Sequence, residues 1–230
     1  MEEKIYLAFL HSIGFTQKKL FELFKEKQNF KEVYNNINFE YLRKMWFSEK
    51  KTENIIKYKN NLSEQKIKNI ILMRNVKIIY FLEEDYPENL KNTSNPPFVL
   101  YVRGELNQLP KIAVVGARKI STYWEKTIDL LIPEISKYFS IVSWWAIWCD
   151  TYAHKSCILS KGKTISVIWT GIDIDYPVNN HKLYNEIAKN WGAVISIFPI
   201  GELWNPYNFP IRNEIVAWLS EGVLVIEAKE

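Results

Sequence analysis

From Val76 onward the chain alternates short β-rich runs with helical stretches, and this alternation constrains the fold more than any other feature. The runs are Val76 to Leu82, Phe98 to Val102, Ile112 to Val115, Ser140 to Ser143, Thr164 to Ile168, Ala193 to Ile197 and Val223 to Ile226. Strand–helix–strand alternation at this spacing predicts an α/β, Rossmann-like, doubly wound and mostly parallel sheet. Such a sheet receives ligands at the carboxyl ends of its strands, so functional residues are sought just after each run.

The first 75 residues follow a different rule. Ile5, Ala8 and Phe9, then Leu20, Phe21, Leu23 and Phe24, then Ile55, Ile56, Ile67, Ile70 and Ile71 recur at helical spacing, with breaks at Ser12–Phe15, Asn35–Asn38 and Met45–Phe47. The expected organisation is a small all-helical domain over 1–75 and a Rossmann-like domain over 76–230. Ile13-Gly14-Phe15-Thr16-Gln17-Lys18-Lys19 returns 32 residues later as Met45-Trp46-Phe47-Ser48-Glu49-Lys50-Lys51. Each copy reads as a turn, a Thr or Ser N-cap and a basic first helical turn. The pair resembles helix-hairpin-helix elements, whose turn amides and lysines can hold a phosphate backbone. A plain helical bundle with solvated lysines fits the same pattern, and both readings stay open.

No apolar run approaches the ~20 residues of a membrane helix, and the start, MEEKIYLAFLHSIGF, lacks the parts of a secretory signal. A cytoplasmic protein with reduced Cys149 and Cys157 is expected. The formal charge of +4 permits nucleic-acid binding without demanding it.

Glycine is scarce, with eight residues, whereas tryptophan reaches nine; together they make up the usual glycine share of about 7%. In the internal repeat Trp46 stands where the first copy has Gly14, and such a turn favours a residue that tolerates positive φ. Trp124, Trp144, Trp145, Trp148, Trp169, Trp191, Trp204 and Trp218 also occupy turn or strand-end positions and follow neither helical nor strand period. The hypothesis is that the source reads UGA as glycine and that these nine codons have been decoded as tryptophan. An intact mass of the natively expressed protein equal to that of the tryptophan-containing chain would end it. A Trp-rich core is the alternative.

The third run leads into Gly116-Ala117-Arg118, with Ser121, Tyr123 and Trp124 opening a helix. A glycine turn into a helix N-terminus gathers backbone N–H groups and suits a phosphate, and Arg118 adds charge. It is not a dinucleotide fingerprint, because one glycine is present and Ile141-Val142 runs into Ser143 rather than an acid. The fourth run leads into Ser143-Trp144-Trp145-Ala146-Ile147-Trp148-Cys149-Asp150-Thr151-Tyr152-Ala153-His154. With glycine at the three tryptophans, this resembles the S-G-x-A-x-G-x-D-x-x-A-H signature of the DNA-processing protein A family (DprA, also called Smf). Further landmarks follow in order: Gly162-Lys163-Thr164, Trp169-Thr170-Gly171-Ile172-Asp173 with Tyr176-Pro177, Phe209-Pro210-Ile211-Arg212-Asn213, and Leu219-Ser220. Upstream, Asp85-Tyr86-Pro87 and Pro96-Pro97-Phe98-Val99-Leu100-Tyr101 match the family's entry into its sheet. The resemblance spans nearly the whole chain.

The resemblance implies a basic pocket at the strand ends that holds single-stranded DNA, protects it and helps load a RecA-type recombinase during natural transformation. It implies no catalysis, no cofactor, no membrane association, and a homodimer in the full-length protein. Carried over by position, Arg118 and Lys163 are the phosphate contacts, and Arg212 and Asn213 come next. Gly116, Lys119, Ser121, Ser143, Trp144, Trp145 and Trp148 complete the DNA-binding set. Two departures stand out. Glu214 replaces a position that is often basic, and the chain stops at Glu230, where the family continues with a loop, a helix and a strand. The sequence is therefore expected to be truncated, with part of the site and of the dimer surface missing.

His154 with Cys149 and Cys157 offers three ligands where a closed zinc site wants four, so no metal is assigned. Asp150 suits a helix cap, and Ser143 a hydrogen bond to phosphate, better than a catalytic role. The alternative function is a nucleotide-binding or nucleotide-hydrolysing enzyme of a related Rossmann-like group, although its P-G-G-x-G-T-x-x-E loop is absent.

Overall fold

In the computed structural model the structure describes residues 2–116, 122–144 and 149–226, and of residues 122–124 and 179 the backbone alone. Six helices come first: α1 (Glu2–Ser12), α2 (Gln17–Lys25), α3 (Phe30–Asn36), α4 (Phe39–Lys44), α5 (Glu49–Asn61) and α6 (Glu64–Met73). Short polar residues start five of them. Thr16, Asn29, Asn38, Ser48 and Ser63 each accept a hydrogen bond from the backbone N–H three residues on, satisfying an amide that has no intrahelical partner. The repeated turns behave alike. Gly14 and Trp46 both take positive φ, 115° and 65°. Trp46 is 93% exposed, so no packing offsets that conformation.

The strands follow: β1 (Val76–Tyr80), β2 (Val99–Gly104), β3 (Lys111–Val115), β4 (Ser140–Ser143), β5 (Thr164–Val167), β6 (Ala193–Ser196) and β7 (Gly222–Val225). All seven expected runs form strands, each within a residue or two of its expected ends. They make one sheet in the order β1-β2-β6-β5-β4-β3-β7. The five strands from β6 to β7 are parallel, and β1 and β2 are added antiparallel at one edge. The sheet is thus mostly parallel, as expected. The short α7 (Glu88–Lys91) lies in the connection between the antiparallel neighbours β1 and β2, and α8 (Thr122–Ile135), α9 (Cys149–Leu159), α10 (His181–Lys189) and α11 (Asn208–Leu219) make the crossovers and cover both faces.

One face buries Leu100, Val102, Ala113, Val142, Ile165, Val167 and Ile195 beneath Ile215, Val216 and Leu219 of α11. On the other, Val114 and Ile141 meet Ile128, Ile132 and Ala153 of α8 and α9. Val99, Tyr101 and Val194 join Leu183, Tyr184 and Ile187 of α10 in a core that continues into Leu7, Phe9, Leu10 and Leu20 of the helical half. The change from helix to strand falls between Met73 and Val76, yet this core crosses it. His11 and Tyr101 stitch the halves together through a buried Nδ1–OH hydrogen bond of 2.9 Å.

Trp191 is the second tryptophan at positive φ, 60°, and it is 67% exposed. Trp144, Trp169, Trp204 and Trp218 do not take that conformation.

Candidate nucleic-acid interface

Strand order locates the site. Going from β3 through β4 and β5 to β6 the sheet grows in one direction, and then α11 returns the chain along the opposite face to place β7 on the far side of β3. The order reverses between β3 and β7, and outside the carboxyl ends of such a pair a crevice opens. Gly116 stands there. A Cβ on it would lie 2.6 Å from Cys149 Sγ and 3.5 Å from Ile226 Cβ. Only glycine lets the end of β3 pass that closely between the first residue of α9 and the end of β7.

The turn that follows, with Arg118, Lys119 and Ser121, lies outside the described residues, as do Trp145 and Trp148. Ser143 is fully buried, and its hydroxyl donates to the Val114 carbonyl at 2.6 Å. It ties β4 to β3, and its one hydrogen is not available to a phosphate, contrary to the expectation. Lys163 is also displaced from its expected place. It precedes β5 in register with Ser140 at the start of β4, and its carbonyl accepts from Ile141 N–H. That is the amino rim, roughly 15 Å of strand away from the carboxyl rim. Searching after each run should have excluded it, because Lys163 comes before its run.

Arg212 is at the carboxyl rim but covered. It is 2% exposed, and its guanidinium carbon lies 5.1 Å from the Trp144 ring, 5.0 Å from Trp169 and 5.1 Å from Phe209. Its NH1 donates to the Val167 carbonyl at 3.3 Å, and its Nε donates to Asn213 Oδ1 at 3.2 Å. Burial pulls Arg212 down to about 10, opposed by the negative charge of buried Asp150, so the group stays cationic at neutral pH. Asp150 in the first turn of α9 is therefore a charge partner of Arg212.

Sequence reasoning missed this cage. Phe209 and Arg212 are three apart and share a face of α11, but Trp144 and Trp169 arrive from two other strands, which no local pattern announces. The rings continue outward, Trp169 to Tyr176 at 6.0 Å and Tyr176 to Trp204 at 6.1 Å between centroids. Asn208 Nδ2 holds the Trp169 carbonyl at 3.0 Å. Neither α10 nor α11 has a side-chain cap; their starts are closed by the backbone instead, with the His181 N–H donating to the Val178 carbonyl and the Asn208 and Phe209 N–H groups to the Asn205 and Pro206 carbonyls at 3.0 and 3.2 Å.

His154 lies beneath the rim, fully buried, with Nδ1 2.6 Å from Thr164 Oγ1, and burial pushes it down to about 3. It is a neutral packing residue. Cys149 and Cys157 are buried thiols, and burial pushes Cys157 up to about 12. Among the described residues no group of three or more His, Cys, Asp or Glu is placed to hold a metal, and no helix is long and apolar enough to cross a membrane.

With this geometry in place, comparison with known proteins is decisive. The family model described as DNA recombination-mediator protein A matches residues 77–230. The chain belongs to the DNA-processing protein A family. Protein Smf of Synechocystis is 36% identical over 191 residues, covering 79% of this chain and 47% of that protein. DNA processing protein DprA of Streptococcus pneumoniae is 39% identical over 150 residues, 64% of this chain and 53% of its own. The chain thus spans about half the length of these curated relatives. The X-ray structure of Streptococcus pneumoniae DprA aligns with 98% of this chain and 77% of its own at a TM-score of 0.71 and 26% identity. Helicobacter pylori DprA, described for its single-stranded DNA binding mode, aligns with 65% of this chain and 68% of its own at a TM-score of 0.58 and 27% identity.

Proposed function

We propose that the carboxyl rim binds the sugar–phosphate backbone of single-stranded DNA, that binding involves no catalysis, and that the bound strand is passed to a RecA-type recombinase in the cytoplasm. A homodimer would present two such rims. The observation that carries this reading is the reversal of strand order at β3/β7, with the close-packed Gly116 at the end of β3 and Arg118, Lys119 and Ser121 next in the sequence. Family membership and the single-strand binding described for the Helicobacter pylori relative support the choice of ligand. Arg212 contributes positive charge from below. Were positions 144 and 169 glycine, two of the three rings over its guanidinium would be gone and the charge would face the rim directly.

The test is a mobility-shift titration with single strands of about six to eight nucleotides, short enough to occupy the rim alone. Binding should weaken steeply with salt, by a log–log slope of about 0.7 per phosphate neutralised. It should fall in Arg118→Ala and persist in Lys163→Ala, which alters the opposite rim. Short strands that fail to bind, or bind equally well to Arg118→Ala, would refute the assignment. Release of free base from a nucleotide would favour the enzyme of the related Rossmann-like group.

A further inference from the structure

The positive charge of this chain is not where the rim is. Residues 1–75 hold 15 Lys and Arg against 9 Asp and Glu, a net +6, whereas residues 76–230 hold 15 against 17, a net −2. The half that carries the rim is slightly acidic, and the whole excess belongs to the helices.

Within the helical half the charge gathers at the duplicated turns. These turns pack against one another reciprocally: Phe15 of the first meets Phe47 of the second edge-on at 5.1 Å. Lys19 of the first copy reaches the Phe47 ring at 5.9 Å, and Lys51 of the second brings its ammonium to within 3.0 Å of where a Cβ on Gly14 would be. Each turn thus receives a lysine from the other copy's first helical turn, so the two basic first turns lie close together. Lys18, Arg43, Lys44 and Lys50 are exposed, Lys51 is half-buried, and none of the five forms an ion pair with a carboxylate among the described residues. Lys19 is paired with Glu22 at 3.1 Å, and elsewhere in this half Lys4, Lys31 and Lys68 are each neutralised, by Glu83, Glu2 and Glu64. The helix-end amides are already taken, because Thr16 and Ser48 occupy those of Lys19 and Lys51. What distinguishes this face is that Lys18 stands with Arg43, Lys44, Lys50 and Lys51, cations without a carboxylate partner among the described residues, in the half with the positive net charge.

We propose that this face is a second nucleic-acid surface, separate from the rim, that takes the phosphodiester backbone by charge alone. A repeating polyanion fits it, because several unpaired cations spread over two adjacent turns match a ligand that presents equivalent charges in series. The backbone can come from two sources, the distal part of the strand held at the rim or a neighbouring duplex. The proposal does not require the rim to bind.

The experiment uses the full chain with Lys18, Lys44, Lys50 and Lys51 all changed to Gln, beside Lys50→Glu as a lighter variant and Arg118→Ala as the rim control. Each is titrated with a short single strand, a single strand of about thirty nucleotides and a duplex of similar length, at several salt concentrations. The quadruple variant should lose roughly a hundredfold in affinity for one or both long ligands near 50 mM salt, with the salt slope reduced by about 2 to 3, and keep the short strand. Loss for the long single strand identifies the continuing strand as the source, and loss for the duplex identifies the neighbour. Lys50→Glu should lose several-fold with an unchanged melting temperature, which separates charge from misfolding. Arg118→Ala should retain the long-ligand component even where the short strand no longer binds, so failure of the rim and failure of this face read differently. Unchanged affinity and slope for both long ligands would overturn the proposal, as would loss confined to capture by anionic phosphatidylserine vesicles.

Discussion

The helical half and the sheet half start their helices in opposite ways. Every helix from α2 to α6 begins on a Ser, Thr or Asn whose side chain closes its first turn, whereas α7, α10 and α11 begin on Pro87, Asn180 and Tyr207 with no side-chain cap. The difference teaches where each half keeps its instructions. The helical half is specified locally, by caps and a repeated turn, and can carry exposed charge because little else depends on its surface. The sheet half is specified by packing, and the starts of α10 and α11 are closed by the backbone carbonyls of Val178, Asn205 and Pro206 rather than by a side chain chosen for the purpose.

Acid is expected to strain the contrast most, because one buried histidine serves each half. Burial pushes both His11 and His154 from the ordinary 6.5 down to about 3. The unfolded chain therefore takes up protons first, so the stability is complete above pH 6.5 and is lost as pH falls toward 3. Each histidine removes about 1.4 kcal/mol per pH unit, so up to about 5 kcal/mol is gone by about pH 4.5. Denaturant titrations across that range should show one cooperative transition, since the core crosses between the halves; two separate transitions would break the picture of a shared core.

A smaller effect distinguishes the two kinds of glycine. Gly116→Ala should cost about 1–3 kcal/mol through crowding, and Cys149→Ala in the same chain should recover much of it, because the clash is with a side chain. Gly14→Ala should cost about 1–2 kcal/mol through its left-handed backbone, and Lys51→Ala should recover nothing, although Lys51 is the nearest neighbour. Melting curves of the four variants decide whether sheet-half glycine is about space and helical-half glycine about conformation.

The smallest effect has the unusual sign. Trp46→Gly and Trp191→Gly should each stabilise the fold by about 1 kcal/mol, because an exposed ring is given up and a strained φ relieved. A loss of stability in both would count against these being glycine positions.

Legibility followed the same division. The seven strands were readable because β-rich runs bounded by helical stretches are a local signal, and the helical half was readable from period and caps. The site was readable only up to its turn. Gly116 could be recognised as a turn glycine, but its contacts with Cys149 and Ile226 join three separate elements. Ser143 and Lys163 were drawn in by their motif neighbours. One proved to be bonded to Val114 and the other stood at the wrong end of its strand. Arg212 was singled out by its motif, and its enclosure by three rings from three segments was invisible.

By itself the sequence determined the elements, the repeat of the basic turns and the lopsided charge, because period, capping chemistry and net charge act over a few residues or by simple summation. Tertiary structure alone decided that β7 lies beside β3, so that the strand order reverses there, and that Arg212 is covered while the lysines of two distant turns stand together. Those outcomes depend on which apolar faces meet, and burial is a property of the assembled core.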